Sequence, residues 1–143
     1  MKTTHILLVD DEVGFVETMR KRLTKRGLTV KIALSGTEAL DRLAEETKIE
    51  VVVLDVKMPV MDGLEALREI KTRFPLTEVL MLTGHATIAD AINGMKLGAF
   101  DYLMKPCDMD RLMAKVDEAA AKRRQHEEKI AAARIHEITL RRA

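Results

Sequence analysis

Five short apolar runs alternate along the chain with five segments in which apolar residues recur every three or four positions. The runs are predicted strands, and they cover Ile6–Val9, Leu28–Leu34, Glu50–Leu54, Glu78–Leu82 and Phe100–Met104. Runs that are apolar throughout are typical of strands covered on both faces. Strands that alternate with helices form a parallel sheet through right-handed crossovers. The sequence therefore predicts an α/β fold in which helices cover both faces of a doubly wound, five-stranded parallel sheet.

The predicted helices carry boundary signals. Ser35-x-x-Glu38 has the spacing of a capping box, and Thr87-x-x-Asp90 resembles another cap. Gly27 and Gly98 are predicted to end the first and fourth helices. Asp108 is a candidate cap for the last helix.

The last predicted helix is unusually long. From Asp108 onward the sequence has no Pro or Gly, and its abundant Ala, Glu, Lys and Arg favour helix. About 30 helical residues span roughly 45 Å, whereas a body of ~120 residues has a diameter of roughly 35 Å. We therefore expect this helix to project past the body.

Charge divides the chain into two predicted parts. Residues 122–143 carry seven Lys and Arg against three Asp and Glu, whereas residues 1–121 carry 17 against 20. A chain of 143 residues is long enough for one domain and short for two. We predict a domain over 1–121 and a basic helical extension over 122–143, which is a candidate linker or dimerisation helix.

The composition favours a cytoplasmic, reducing location. Cys107 is the only cysteine, so no internal disulfide forms. The N-terminus lacks the apolar region of a signal peptide, and no uncharged run approaches the ~20 residues of a membrane helix. The net charge of +1 gives no general argument for nucleic-acid binding. We expect no membrane partner and no direct nucleic-acid contact.

Reactive side chains follow four of the five predicted strands. They are the pair Asp10-Asp11, then Asp55, Thr83 and Lys105. The carboxyl ends of parallel strands meet at one edge of a sheet, where ligands of such folds bind. The sequence therefore predicts that three carboxylates, a hydroxyl and an ammonium share one site.

This set of groups fits the binding of a divalent cation and a phosphoryl group. Adjacent carboxylates repel each other unless a cation screens them, and Mg²⁺ prefers oxygen ligands and phosphate. Asp55 would then attack phosphorus as a carboxylate nucleophile, while Lys105 and Thr83 bind phosphoryl oxygens. Each residue alone is more typical of a cap, a turn or a loop than of a reactive site, and only their coincidence at four strand ends favours the site.

These motifs resemble the receiver domain of two-component response regulators over roughly residues 3–121. The shared motifs are Asp10-Asp11, Asp55-x-x-Met58-Pro59 with Asp62-Gly63, Thr83-Gly84 and Lys105-Pro106. The resemblance implies a flavodoxin-like (βα)5 fold with strand order 2-1-3-4-5. It also implies that Asp55 accepts a phosphoryl group from a sensor histidine kinase or a histidine phosphotransfer protein.

The resemblance also implies the ligands of the metal. Asp11, Asp55 and the backbone carbonyl of Lys57 would bind Mg²⁺, with Asp10 acting through water. Lys105 and Pro106 would be joined by a cis peptide bond.

A switch and a timer follow from the same resemblance. Thr83 would move toward the phosphoryl group and Tyr102 would rotate inward, which changes a surface formed by the fourth helix, the fifth strand and the fifth helix. Lys57 and His85 would flank the path of the hydrolytic water, and the domain would phosphorylate and dephosphorylate itself without being a conventional enzyme. A plain half-buried aromatic residue and an exposed loop histidine are the simpler alternatives for Tyr102 and His85.

The end of the extension carries an apolar stripe. Ala131, Ile135 and Ile138 have helical spacing but cover scarcely more than one heptad, and a coiled coil needs three or four. A homodimerising or partner-binding helix and a solvated extension both stay open. Nucleic-acid contact is disfavoured because the positive charge is not accompanied by a helix-turn-helix pattern or interleaved aromatic residues. The helix also resembles the start of a linker to an output domain, and the sequence does not identify the output partner.

A Mg²⁺-dependent phosphohydrolase of the haloacid-dehalogenase-like type is the competing enzyme hypothesis. Those enzymes also use an Asp after a strand, but within Asp-x-Asp. Here the second position is Lys57, which argues against turnover of small phosphate esters. A binding module without phosphorylation is disfavoured because every part of the site is present. The sequence thus favours a phosphorylation switch.

Overall fold

The computed structural model of the chain describes residues 3–56, 61–84 and 87–142, and ten elements alternate strictly between strand and helix. The strands are β1 (His5–Val9), β2 (Thr29–Ala33), β3 (Val51–Leu54), β4 (Glu78–Thr83) and β5 (Asp101–Met104). The helices are α1 (Val13–Lys25), α2 (Gly36–Glu45), α3 (Gly63–Arg73), α4 (Ile88–Lys96) and α5 (Met109–Arg142). The predicted alternation is confirmed, with shifts of at most one residue at the strand ends.

The five strands form one parallel sheet in the order β2-β1-β3-β4-β5. This is the predicted doubly wound, flavodoxin-like order, and it is confirmed. The register places Val9 beside both Ala33 and Leu54, so β1, β2 and β3 end level. Thr83 pairs with Met104 at the ends of β4 and β5. The side chains that follow these strands are therefore brought to one edge, which we call the carboxyl edge.

Helices cover the sheet from both sides and enclose two apolar cores. On one side α2 and α3 bury residues such as Leu40, Leu67 and Ile70 against the sheet. On the other side α1 and α5 bury residues such as Leu23 and Leu112. Every residue of β1, β3 and β4 except His5 is buried, as expected for strands covered on both faces, whereas the outer strands β2 and β5 are only partly buried.

Local signals at the helix ends are largely confirmed. Thr87 and Asp90 form a complete capping box at the start of α4. The Ser35 hydroxyl accepts a hydrogen bond from the Glu38 amide, but the Glu38 carboxylate accepts from Leu34, one residue before the partner that a capping box requires. Gly27 and Gly98 have φ values of 94° and 103° after the first and fourth helices, where glycine is favoured.

Helix α5 is 34 residues long and projects past the body, as predicted. Its last residues in the apolar core are Ala119 and Ala120, and every residue from 128 to 142 is exposed. None of the helices in the described ranges combines the length and the apolar character that a bilayer crossing requires. The domain boundary after residue 121 stays a prediction.

Three consecutive basic residues hold α5 to the opposite edge of the sheet, where the strands begin, and we call Lys122, Arg123 and Arg124 the basic anchor. Arg124 donates to both carboxylate oxygens of Glu50, at 2.8 and 2.9 Å, and to the Thr4 hydroxyl. Arg123 donates to the Ile49 carbonyl and to the Thr77 hydroxyl. The Lys122 ammonium lies 3.5 Å from a carboxylate oxygen of Glu78. Contacts with the body thus continue past residue 121.

Candidate functional site

The carboxyl edge gathers the five side chains that the sequence singled out. Asp10 and Asp11 follow β1, Asp55 follows β3, Thr83 ends β4 and Lys105 follows β5. One carboxylate oxygen from each of the three Asp residues lies within 4.8 Å of the other two. The segments that follow β1 and β3 therefore supply one compact cluster of carboxylates at this edge.

The carboxylates differ in burial and in their partners. Asp10 and Asp55 are 3% and 2% exposed, whereas Asp11 faces solvent. Asp10 accepts hydrogen bonds from the Glu12 amide at 2.9 Å and from the Lys105 ammonium at 2.5 Å. Asp55 Oδ1 is buried and has no hydrogen-bond partner among the described residues. The site therefore contains one satisfied and one unsatisfied buried carboxylate.

An unsatisfied buried carboxylate fits a site that binds a cation. Leaving such an oxygen without a partner destabilises the folded protein, and two further carboxylates within 4.8 Å of it add repulsion. Three carboxylates with one open to solvent form the all-oxygen ligand set that Mg²⁺ prefers. The residues present thus fit Mg²⁺. The predicted fourth ligand, the Lys57 carbonyl, lies outside the described residues, as does His85.

The Lys105 ammonium is held on more than one side. Besides Asp10, it lies 3.9 Å from a carboxylate oxygen of Glu12 and 3.9 Å from the centre of the Phe15 ring. The bond between Lys105 and Pro106 is cis, as the resemblance implied. Phe15 was not among the predicted site residues. The available signal was an aromatic residue in the first turn of the helix that follows Asp10-Asp11.

Gly63 allows α3 to begin directly behind the Asp55 loop. A Cβ atom at this position would overlap the carbonyl oxygen of Asp55 and the Cα of Val56. The Gly63 amide donates to the Val56 carbonyl, and Asp62 caps α3 by accepting from the Glu65 amide at 2.9 Å. The Asp62-Gly63 motif therefore supports the backbone that presents Asp55.

Thr83 and Tyr102 lie on the same face of the sheet. Thr83 is fully buried at the end of β4. Tyr102 is half-buried on β5, and its hydroxyl donates to the Met104 sulfur at 3.2 Å. Burial, and to a lesser degree the charge of Asp90, raises the pKa of Tyr102 above its usual value. The pairing of Met81 with Tyr102 and of Thr83 with Met104 puts both predicted switch residues on one side.

Helix α4 and β5 expose an apolar surface beside these residues. Its members are Ile88, Ile92, Met95 and Met104, each about half exposed or more. Ile88, Ile92 and Met95 are spaced by four and three residues, so they lie on one side of α4. Only Gly94 of α4 is buried. This apolar surface belongs to the larger surface of α4, β5 and α5 that the predicted switch would alter.

The sequence and the fold are both similar to those of known proteins. The pattern that describes the response regulator receiver domain matches residues 6–117. The chain is 39% identical over 118 residues to the transcriptional regulatory protein GlrR of Escherichia coli, covering 82% of this chain and 26% of that protein. It is 40% identical over 112 residues to the DNA-binding transcriptional regulator NtrC of Klebsiella pneumoniae, covering 78% and 24%. The chain thus spans about a quarter of the length of these curated relatives.

Solved structures give the same result. A response regulator receiver domain protein from Clostridium thermocellum superposes with a TM-score of 0.81 at 37% identity, covering 85% of this chain and 98% of that one. A CheY-like receiver domain protein from Methanospirillum hungatei gives a TM-score of 0.82 at 27% identity, covering 87% and 99%. These similarities favour the receiver resemblance and give no support to the phosphohydrolase alternative.

Proposed function

Because the chain belongs to the family of response regulator receiver domains, we propose that it is a phosphorylation-controlled switch whose phosphoacceptor is Asp55. One observation carries this assignment. Asp55 Oδ1 is buried without a hydrogen-bond partner among the described residues. It lies in a cluster with two further carboxylates, of which Asp11 is exposed to solvent. A carboxylate in that state is available for chemistry, whereas Asp10 is already paired with Lys105.

The proposed reaction transfers a phosphoryl group from a phosphohistidine of a kinase or phosphotransfer protein. A carboxylate oxygen of Asp55 attacks phosphorus, the phosphorus–nitrogen bond breaks, the imidazole leaves and an acyl phosphate forms. Lys105 moves its ammonium from Asp10 to a phosphoryl oxygen, and the Thr83 hydroxyl donates to another.

Mg²⁺ is the proposed cofactor of this site. Asp11, Asp55 and the Lys57 carbonyl would hold it, with Asp10 acting through water. When bound, the ion supplies positive charge that offsets repulsion among the carboxylates and the phosphoryl oxygens.

The same residues account for a switch with its own timer. Small phosphodonors would phosphorylate Asp55 without a kinase, and water would slowly hydrolyse the acyl phosphate along a path flanked by Lys57 and His85. Movement of Thr83 and Tyr102 would change the surface of α4, β5 and α5. The domain itself is not a conventional enzyme, and its proposed place is the cytoplasm, where a kinase and its output meet.

The output is proposed to be transcriptional. The relatives named above are transcriptional regulators, one of them DNA-binding, so the apolar surface on α4 and β5 is proposed to control a nucleic-acid-binding output. Residues 122–143 are not proposed to contact nucleic acid themselves. The exposed part of α5, with Ile135 and Ile138 on one side, is the candidate contact for a second copy.

Phosphorylation by acetyl phosphate tests the assignment. With Mg²⁺ present, intact-mass measurement should show one persistent phosphoryl adduct on the wild type and none on Asp55→Asn. Asp41→Asn, which changes an exposed carboxylate on α2, is the matched control and should carry the adduct. Rapid release of phosphate over many turnovers would favour a phosphohydrolase, and an adduct on Asp55→Asn would contradict the proposed acceptor.

Binding of Mg²⁺ has a separate test. Titration with MgCl₂ should raise the Tm of the wild type progressively as the Mg²⁺ concentration exceeds the Kd, and the rise should be reduced in Asp11→Asn and retained in Asp41→Asn. An equal rise in all three proteins would contradict the proposed ligands.

A further inference from the structure

We propose that Phe15 is a positioning residue for Lys105, whose ammonium its ring holds at the carboxyl edge. This inference rests on the proposed function, because Lys105 matters only if a phosphoryl group is bound there. The ring centre lies 3.9 Å from the Lys105 ammonium, which is well within the range of a cation–π contact.

Lys105 needs such a contact because a lysine side chain is flexible. Asp10 binds the ammonium at 2.5 Å, and the more distant Glu12 carboxylate is 3.9 Å away. Both of these partners are anions, so an arriving phosphoryl group competes with them for the same charge. The face of an aromatic ring attracts a cation without competing for its hydrogen-bond donors. Phe15 therefore can stay in contact while the ammonium exchanges one anion for another.

The surroundings of Phe15 fit this role. The residue lies in the first turns of α1, half-buried against the core that α1 and α5 share. It lines a small cavity together with Asp10 and Asp55, and a second cavity of about 140 Å³ together with Lys105 and Pro106. Phe15 thus borders both the cavity beside the acceptor carboxylate and the cavity beside the lysine that would bind the phosphoryl group.

Plain packing is the competing explanation, and substitutions separate the two. Phe15→Leu keeps an apolar side chain but removes the aromatic face, whereas Phe15→Trp keeps the face that binds cations most strongly. Phe74→Leu is the matched control, because Phe74 is also half-buried but packs on the core of α2 and α3.

Proton NMR of the unphosphorylated protein tests the contact directly. The Lys105 ε-methylene resonances, identified by their loss in Lys105→Ala, should be displaced upfield by the ring. Phe15→Leu should return them to the range of the other lysines, and Phe74→Leu should not. Lys105 resonances at ordinary positions in the wild type would overturn the proposal. This measurement needs neither Mg²⁺ nor a phosphodonor, so it is independent of the proposed function.

Phosphorylation by acetyl phosphate then tests the consequence without a kinase surface. Phe15→Leu should slow adduct formation about three- to tenfold, while Phe15→Trp and Phe74→Leu stay near the wild type. In a Lys105→Ala background, Phe15→Leu should have no further effect, since its role acts through Lys105. Equal rates for the wild type and the Phe15→Leu variant, or the same loss in both backgrounds, would overturn the proposal. Failure of the wild type to be phosphorylated would instead overturn the proposed function and leave the NMR result standing.

Discussion

The two edges of the sheet both carry nearly buried carboxylates, but they differ in whether those carboxylates are paired with cations. Where the strands begin, Glu50 lies against Arg124, and Glu78, only 1% exposed, faces Lys71 and Lys122 at 3.7 and 3.5 Å. Where the strands end, Lys105 satisfies Asp10, and Asp55 has no ion pair among the described residues. At the edge where the strands begin, Lys and Arg side chains therefore pair with both carboxylates, and we call it the matched edge. At the carboxyl edge Asp55 has no cationic partner among the described residues, and we also call it the unmatched edge.

This difference separates a structural from a functional carboxylate. Glu78 Oε2 also lacks a hydrogen bond within the described ranges, yet two ammonium groups offset its charge. Burial alone therefore does not identify a site. A buried charge identifies a site only where no nearby side chain of the protein has the opposite charge and where a ligand could reach it.

The largest expected effect comes from the backbone behind Asp55. Gly63→Ala would place a Cβ against the Asp55 carbonyl and Val56, and because backbone atoms cannot move aside easily, we expect a loss of about 2–4 kcal/mol in the free energy of unfolding. Urea denaturation measures it. Gly14→Ala is the control, because nothing lies within 4 Å of a Cβ added at this position. The higher helix propensity of Ala should raise the free energy of unfolding by up to about 1 kcal/mol. Equal effects would show that the carboxyl edge is not tightly packed.

Arg124 tests the matched edge. Arg124→Gln removes the positive charge that pairs with Glu50, so we expect a loss of about 1–3 kcal/mol in the free energy of unfolding. Phosphorylation of Asp55 should be unchanged. Arg141→Gln breaks an exposed pair with Glu137 in the extension and should cost below about 0.5 kcal/mol. Impaired phosphorylation in Arg124→Gln would mean that the two edges are not independent.

Asp55 tests the unmatched edge. Without Mg²⁺, Asp55→Asn relieves repulsion with Asp10 and Asp11, and we expect unfolding in urea to require about 1 kcal/mol more than in the wild type. The corresponding change at the matched edge, Glu50→Gln, should destabilise the protein instead, because it removes a paired charge. If both substitutions changed stability in the same direction, the distinction between the edges would be wrong.

The smallest effect concerns Asp101 at the start of β5. Burial acts to raise the pKa of Asp101, but hydrogen bonds from Lys115 and the Tyr102 amide outweigh it, so the pKa is lower than usual. The folded protein therefore gains stability above the ordinary pKa, near pH 4, and loses it as the pH falls further. Because Asp101 is partly exposed, we expect less than about 0.5 kcal/mol. Urea unfolding of the wild type and Asp101→Asn at pH 7 and pH 3 measures it, and a larger difference at the lower pH would contradict the sign.

The sequence predicted the sheet because its three central strands are short apolar runs, the pattern that burial on both faces requires. It placed Asp55 and Lys105 at strand ends for the same reason. The contact of Phe15 with Lys105 was not predictable, because it joins residues 90 positions apart and depends on how α1 rotates against the loop after β5. The roles of Lys57 and His85 stay predictions.

The basic anchor was missed for a different reason. Three consecutive basic residues show neither the helical nor the strand spacing that marks a buried face, so they were predicted to be part of a solvated extension. Their partners in the body, including Glu50 and Thr77, lie more than 40 residues away in sequence. The informative signal was their position directly after Ala120, where the apolar face of α5 ends.

The anchor also sets the mechanics of α5. The helix begins four residues after Lys105 and reaches the opposite edge of the sheet, so the contacts of Arg123 divide it into an inner and an outer arm. At ~1.5 Å per residue the inner arm from Met109 is about 21 Å long and the outer arm to Arg142 about 28 Å. If α5 pivoted at Arg123 as a rigid rod, a sideways shift of its first turn would appear at the far tip in the opposite direction and about one-third larger.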